Sequence, residues 1–234
     1  MTTRTRSAAK AAAAAGRWVL VGSRVARAPE GVMVCRRSSD LPTFVREAPK
    51  QRVFITYRES SADDLLRESL KLGRGGRLGD LLTLEPPRPE SVPSLSVVFE
   101  RVIGTTPGYA WLPTEEIPSV VSARDASDRI LGGAVDMAGK TVALVRGNLS
   151  MLVAPFSYFK ASGDGTRPDF SRPTFSDYGL TVAFGGYEAS ADGILYEFDP
   201  AYRQKLKKER LAVDRSFGAS LRRLRLQRGL KRTD

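Results

Sequence analysis

The chain has 234 residues, of which 41% are hydrophobic and 27% charged, a composition typical of a soluble protein with one or two domains. It contains no histidine and a single cysteine, Cys35, which excludes Ser-His-Asp triads, Cys-His pairs, zinc sites built from these residues, and internal disulfides. The formal net charge of +11 is unevenly placed: residues 1–29 contribute +6 and residues 202–234 contribute +9, so the middle carries −4.

Residues 1–50 are predicted to form a basic, low-complexity leader that is largely disordered. Residues 1–16 are rich in alanine and contain no acid, and the apolar segment after Arg17 is too short for a secretory signal. An organellar transit peptide has a similar composition, so a targeting role for this segment is one alternative. The other is a start codon assigned too far upstream. No apolar run approaches the roughly 18 residues of a transmembrane helix, and we expect a cytoplasmic protein.

Residues 51–199 are predicted to form a compact β-rich body with one or two helices. Residues 52–57 (RVFITY) read as a strand because they are rich in β-branched and aromatic residues. A helix capped by Ser61 should follow and end at Gly73. Four prolines between 85 and 93 predict an extended segment and a domain boundary there.

The rest of the body reads mainly as strands, separated by glycine-rich turns. Gly147-Asn148 is a hairpin-type turn signal, and a short helix is expected near 122–131. The predicted strands are 95–103, 141–146, 151–156, 180–184 and 194–198. Followed by a basic helical segment at 200–234, this arrangement predicts the α+β class.

Two features of the chain bear on chemistry. Residues 134–141 (AVDMAGKT) satisfy a relaxed phosphate-loop pattern, with Lys140, Thr141 and the distant Asp199 as candidate nucleotide and magnesium ligands. A phosphate loop needs a helix after it, whereas VALVRGN reads as a strand, so a β-turn is the simpler interpretation. The second feature is Cys35, whose thiol pKa the adjacent Arg36 and Arg37 should lower. Because the chain has no histidine to act as its base, we expect this cysteine to have no catalytic role.

The carboxyl-terminal segment changes character at Asp199-Pro200, a good helix cap followed by a good first helical residue. Phe217, Leu221 and Leu224 then share one helical face. We expect this face to belong to a helix that begins with Asp214 or Ser216 as its cap and ends at Gly229. A new apolar element should begin at Leu230. A short amphipathic helix, a glycine and an apolar restart describe the first half of a helical hairpin.

The stretch SFGASLRRLRLQRGL resembles the first helix and turn of the Cro-repressor type of helix-turn-helix, also called the xenobiotic-response-element family. The matching positions are Gly218, Leu221, Arg222, Leu224, Arg225, Gly229 and Leu230. Lys231 departs from the family, which usually has a small hydroxyl residue there, and the recognition helix would lie after Asp234. The body segments GKTVALVRGNLSMLVAPFSYF and DYGLTVAFGGYEASADGILYEFD are similar to an uncharacterised β-rich segment that precedes such modules in bacterial regulators.

The resemblance implies a bacterial transcriptional regulator or an antitoxin-like DNA-binding protein, here without its recognition helix. Cations in the final segment would contact DNA phosphates without reading bases. These candidates are Arg222, Arg223, Arg225, Arg228, Lys231 and Arg232. The alternatives are a protein-interaction module whose basic helix docks an acidic partner, and a nucleotide-binding protein using 134–141. We expect no enzyme activity, cofactor, metal or membrane partner, and a homodimer stays open.

Overall fold

The fold is described from a computed structural model, which describes residues 17–23, 28–46, 52–71 and 78–228. The chain divides into two compact units. The first ends at Ala191 and the second begins at Asp192. The predicted boundary at 85–93 is wrong, because this segment connects two elements of the first unit, and Pro93 lies in the first turn of a helix.

The amino-terminal half of the first unit is a parallel sheet. Its strands are β1 (Trp18–Val21), β2 (Val32–Cys35), β3 (Val53–Thr56), β4 (Asp80–Thr83) and β5 (Val102–Ile103). All neighbours pair in parallel in the order β2-β1-β3-β4-β5. Every residue of β1 and β3 is buried, as expected of strands whose two faces are both covered.

Two strands and a helix lie in the segment that was predicted to be a disordered leader. β1, β2 and helix α1 (Leu41–Arg46) all fall between residues 17 and 46, so that prediction is wrong for this part. Residues 1–16 lie outside the described residues. Composition does not predict β1, because this strand is only four residues long and has basic residues on both sides. Its stability comes from pairing with two distant strands.

Helices connect the later strands and pack on one core. Helix α2 (Glu59–Lys71) confirms the predicted helix, although it begins before Ser61, and the predicted stop at Gly73 lies outside the described residues. Helix α3 (Val92–Val98) leads into β5. The core is closed by Phe54 and Phe99, whose rings meet edge to face with centroids 5.9 Å apart.

The remainder of the first unit is antiparallel. One sheet has the order β6 (Tyr109–Trp111), β7 (Ile130–Asp136), β8 (Thr141–Arg146) and β9 (Met151–Pro155), and helix α4 (Ile117–Ser122) precedes β7. The other has the order β10 (Pro173–Ser176), β11 (Thr181–Phe184) and β12 (Tyr187–Ser190). The buried rings of Phe159 and Phe184, 4.9 Å apart, belong to a cluster of aromatic side chains.

Several predicted strands and the hairpin turn are confirmed. β8 has the predicted bounds, and β3, β9 and β11 lie within the predicted ranges. At the turn, Asn148 Oδ1 accepts a hydrogen bond from the Ser150 backbone N–H at 2.9 Å. The predicted α+β class is confirmed, since helices and both kinds of sheet are present.

The short helix expected near 122–131 is confirmed in part, since a 3-10 helix spans Ala126–Asp128, between the end of α4 at Ser122 and the start of β7 at Ile130. The predicted strand 194–198 is wrong, because these residues belong to helix α5 (Ala191–Phe198). The predicted strand 95–103 is wrong over 95–98, which belongs to α3, and is confirmed only at β5. The cause is that short apolar runs do not distinguish a helix from a strand by composition. Helix α6 (Pro200–Gln227) completes the second unit.

Candidate nucleic-acid interface

Helix α6 starts where the sequence predicts. Asp199 is its N-cap, and one carboxylate oxygen of Asp199 accepts a hydrogen bond from the Ala201 backbone N–H at 2.8 Å. Pro200 occupies the first helical position, where its missing N–H costs nothing. The helix has 28 residues and is therefore about 42 Å long. It contains nine basic and two acidic residues, so cations dominate its surface.

Helix α6 is continuous where a second helix was expected to begin. Neither Asp214 nor Ser216 starts a helix, so the predicted caps are wrong. No proline or glycine interrupts the segment between Pro200 and Gly218, and the helix also passes through Gly218. The predicted glycine stop and the restart after it lie outside the described residues.

Four of the six candidate phosphate contacts lie in the described part of the chain. Arg222, Arg223 and Arg225 lie in the last turns of α6, and Arg228 is its carboxyl-terminal cap. All four are exposed. Lys231 and Arg232 fall outside the described residues.

Leucines accompany these arginines on the surface. Leu221 is 42% exposed and Leu224 is 51% exposed, and their spacing of three residues places them on the same side of the helix. Leu226 is 72% exposed and lies on another side. Every residue from Gly218 to Arg228 is exposed, so this end of α6 presents cations together with apolar side chains.

A second group of cations lies near the start of α6, beside α5. A groove of about 390 Å³ is lined by Tyr196, Arg203, Gln204, Leu206, Lys207 and Arg210. These cations contribute to the positive charge of residues 202–234, but the sequence does not predict a groove beside them, because 194–198 is predicted to be a strand. The available signal was the spacing of Arg203, Lys207 and Arg210, four and three residues apart, which places them on one helical face.

The phosphate-loop hypothesis for 134–141 is wrong. β7 ends at Asp136 and β8 begins at Thr141, so this segment is the turn of an antiparallel hairpin and no helix follows it. Asp136 Oδ1 instead accepts a hydrogen bond from the Gly139 backbone N–H at 2.9 Å, which stabilises the turn. The proposed magnesium ligand, Asp199, is the cap of α6.

The environment of Cys35 also differs from the prediction. The residue is buried at the end of β2, and burial raises the pKa of its thiol to about 11, with the nearby Asp40 carboxylate adding to the effect. The Cys35 S–H donates a hydrogen bond to the Arg37 carbonyl oxygen, with 3.3 Å between Sγ and that oxygen. The prediction that Arg36 and Arg37 lower this pKa is therefore wrong, and the protonated thiol is favoured.

Among the described residues, no three His, Cys, Asp or Glu side chains come together as a metal site would require. None of the helices described above has both the length and the apolar character needed to span a bilayer. Comparison with protein families, curated proteins and solved structures finds no match to this chain.

Proposed function

We propose that α6 binds duplex DNA through its final turns, in a bacterial transcriptional regulator or an antitoxin-like protein. The observation that supports this most directly is the exposure of Arg222, Arg223, Arg225 and Arg228 on one short length of helix. DNA carries one negative charge for about every 1.7 Å of its axis, so clustered exposed cations bind it by releasing condensed counterions. The assignment to regulators follows from the resemblance to the Cro-type module.

Phosphate contacts fix position but carry no sequence information. We therefore expect this chain to bind unrelated duplexes with similar, weak affinity. The affinity should fall steeply with salt, because each neutralised phosphate contributes roughly 0.9 to the slope of log K against log salt.

Fluorescence anisotropy with two duplexes of equal length and unrelated sequence tests this proposal. In the triple variant Arg222→Gln/Arg223→Gln/Arg225→Gln, the salt slope should fall by about 3 and the affinity should fall for both duplexes alike. The matched control removes three exposed cations of the first unit, and should leave the slope nearly unchanged. Its substitutions are Arg124→Gln, Lys160→Gln and Arg167→Gln.

Two results would contradict the proposal. Equal loss of binding in the triple variant and its control would mean that net charge alone governs binding. Tight binding to one duplex only would mean that base edges are read, which phosphate contacts do not do.

A second candidate function is a protein-interaction module, and the exposed leucines favour it. Leu226 is 72% exposed beside Arg222 on the same side of the helix, an arrangement suited to a partner with apolar and acidic groups. Replacing Leu226 with glutamine separates the two functions. Duplex affinity should stay within about twofold if phosphate contacts dominate, whereas a large loss of partner binding without loss of DNA binding supports the docking function.

A further inference from the structure

The groove between α5 and α6 combines one aromatic ring with three cations. Tyr196 is 52% exposed, and Arg203, Lys207 and Arg210 line the same groove from α6. Leu206 supplies a half-buried apolar surface, and no acidic residue is among the six lining residues. The described residues that line the groove therefore do not neutralise its positive charge.

The walls of the groove are fixed relative to each other. Tyr202, on α6, is buried and its hydroxyl donates a hydrogen bond to Asp192 Oδ1, on α5, at 2.7 Å. The Asp199 backbone N–H donates to the Leu195 carbonyl at 2.8 Å, which sets the turn between the two helices. The groove consequently needs little ordering before it receives a ligand, which reduces the entropic cost of binding.

The ligand chemistry follows from the lining. A volume of about 390 Å³ accommodates a group of small-molecule size and not a duplex. Cations attract phosphate, and an exposed ring beside them offers a stacking surface to a planar base. Proteins that bind single strands combine these two features, a positive groove and aromatic side chains. An acidic peptide would satisfy the cations but would make no special use of the ring.

We infer that the groove between α5 and α6 is a binding site for an unpaired nucleotide of a nucleic-acid strand. The base stacks on Tyr196, and the adjoining phosphates contact Arg203, Lys207 and Arg210. This inference rests on the proposed function in taking nucleic acid as the partner. It adds a second site, with a preference for unpaired over paired strands, at the other end of the helix from Arg222–Arg228.

The test compares oligothymidylate of twelve nucleotides with an abasic strand of equal length and charge. Binding to the full-length wild-type chain is followed by fluorescence anisotropy at one salt concentration. The wild type should prefer the thymidylate strand by about tenfold, the effect expected for one stacked base. The variant Tyr196→Leu should lose this preference, whereas Tyr196→Phe, which keeps the ring, should retain it.

The cations have a matched control in adjacent residues of α6. Lys207 lines the groove, while Lys208 is exposed and does not line it. Lys207→Gln should weaken binding of both strands several-fold, and Lys208→Gln should leave it close to wild type. Because both side chains are exposed, circular dichroism should show that each variant keeps its helix content.

The following outcomes overturn the inference. One is equal binding of the two strands by the wild type, and another is a preference that survives Tyr196→Leu. A third is a polyglutamate peptide of equal charge that binds as tightly as the thymidylate strand, which would indicate an acidic protein ligand. Duplex binding that is lost only in Arg222→Gln/Arg223→Gln/Arg225→Gln, together with equal binding of the thymidylate and abasic strands by the wild type, would leave the proposed function standing while this inference fails. Absence of duplex binding with a retained thymidylate preference would contradict the proposed function and support this inference.

Discussion

Replacing Thr56 with valine removes one buried hydroxyl and changes little else. Thr56 ends β3 with a fully buried side chain, and its Oγ1 has no hydrogen-bond partner among the residues that the structure describes. A buried hydroxyl without a partner costs about 1–3 kcal/mol of desolvation that folding does not recover. Valine has the same branched shape and a similar preference for strands. We therefore expect Thr56→Val to raise the free energy of unfolding by about 1–2 kcal/mol.

Thr83 provides a matched control on the neighbouring strand. It is the Cα partner of Thr56 in β4 and is equally buried. Its hydroxyl donates to the Gly104 carbonyl at 2.7 Å and lies 3.1 Å from the Ile103 carbonyl. Thr83→Val removes this donor and leaves buried carbonyl groups less well satisfied, so the free energy of unfolding should fall by about 1–2 kcal/mol.

Equilibrium urea unfolding measures both variants. The fluorescence of Trp18 and Trp111 reports on the unit that contains the substitutions, since both tryptophans lie in the first unit. For a protein of this size, 1 kcal/mol corresponds to a change in Tm of roughly 2–4 °C. If Thr56→Val destabilises the protein as much as Thr83→Val does, the Thr56 hydroxyl is hydrogen bonded in solution and the reasoning is refuted.

Three further predictions concern single positions. Gly104 has φ of +84°, and an added Cβ would clash with the Thr83 carbonyl oxygen, so Gly104→Ala should lower the free energy of unfolding by about 2 kcal/mol or more; Gly163→Ala, where a methyl group meets no described atom within 4 Å, should change it by less than about 0.5 kcal/mol. Gly218→Ala should increase helix content by circular dichroism and stabilise α6 by about 1 kcal/mol, because the new methyl group would have open space among the described residues; no change would argue against a continuous helix there. The Cys35 thiol, whose pKa is raised by burial from 9.0 to about 11, should react with a thiol reagent at pH 8 more slowly in the native than in the unfolded chain. Because its folded pKa is the higher one, the folded state disfavours the thiolate, and the free energy of unfolding should decrease as pH rises from 9 towards 11; a Cys35→Ala variant should lose this part of the pH dependence.

Local sequence determined the elements whose hydrogen bonds are made within a few residues. The start of α6 is an example, since Asp199 and Pro200 supply the cap and the first helical residue without help from the rest of the chain. The turn at Gly147-Asn148 is another, because the side chain that stabilises it belongs to the turn itself. The lack of histidine and the single cysteine likewise settled, before any fold was known, which catalytic and zinc sites were excluded.

In helix α5 the spacing of the buried residues indicates a helix, whereas the residue types favour a strand. Ala191, Ile194 and Leu195 are fully buried, and their spacing is helical. The run ILYEF that contains two of them is nevertheless rich in residues that favour strands, which led to the wrong prediction. The sequence does not predict the groove beside Tyr196 for the same reason. Tyr196 lines this groove together with cations of α6, and its place there depends on α5 being a helix.

Apart from β3, which the sequence predicts, the parallel sheet was decided by tertiary structure. β1 is four residues long, yet it pairs with strands that begin 14 and 35 positions later in the chain, at Val32 and Val53. A strand obtains its hydrogen bonds and its buried faces from such distant partners, whereas a helix obtains its hydrogen bonds from residues four positions away. The sequence by itself therefore located the basic helix and the turns, while long-range pairing decided which short apolar runs became strands.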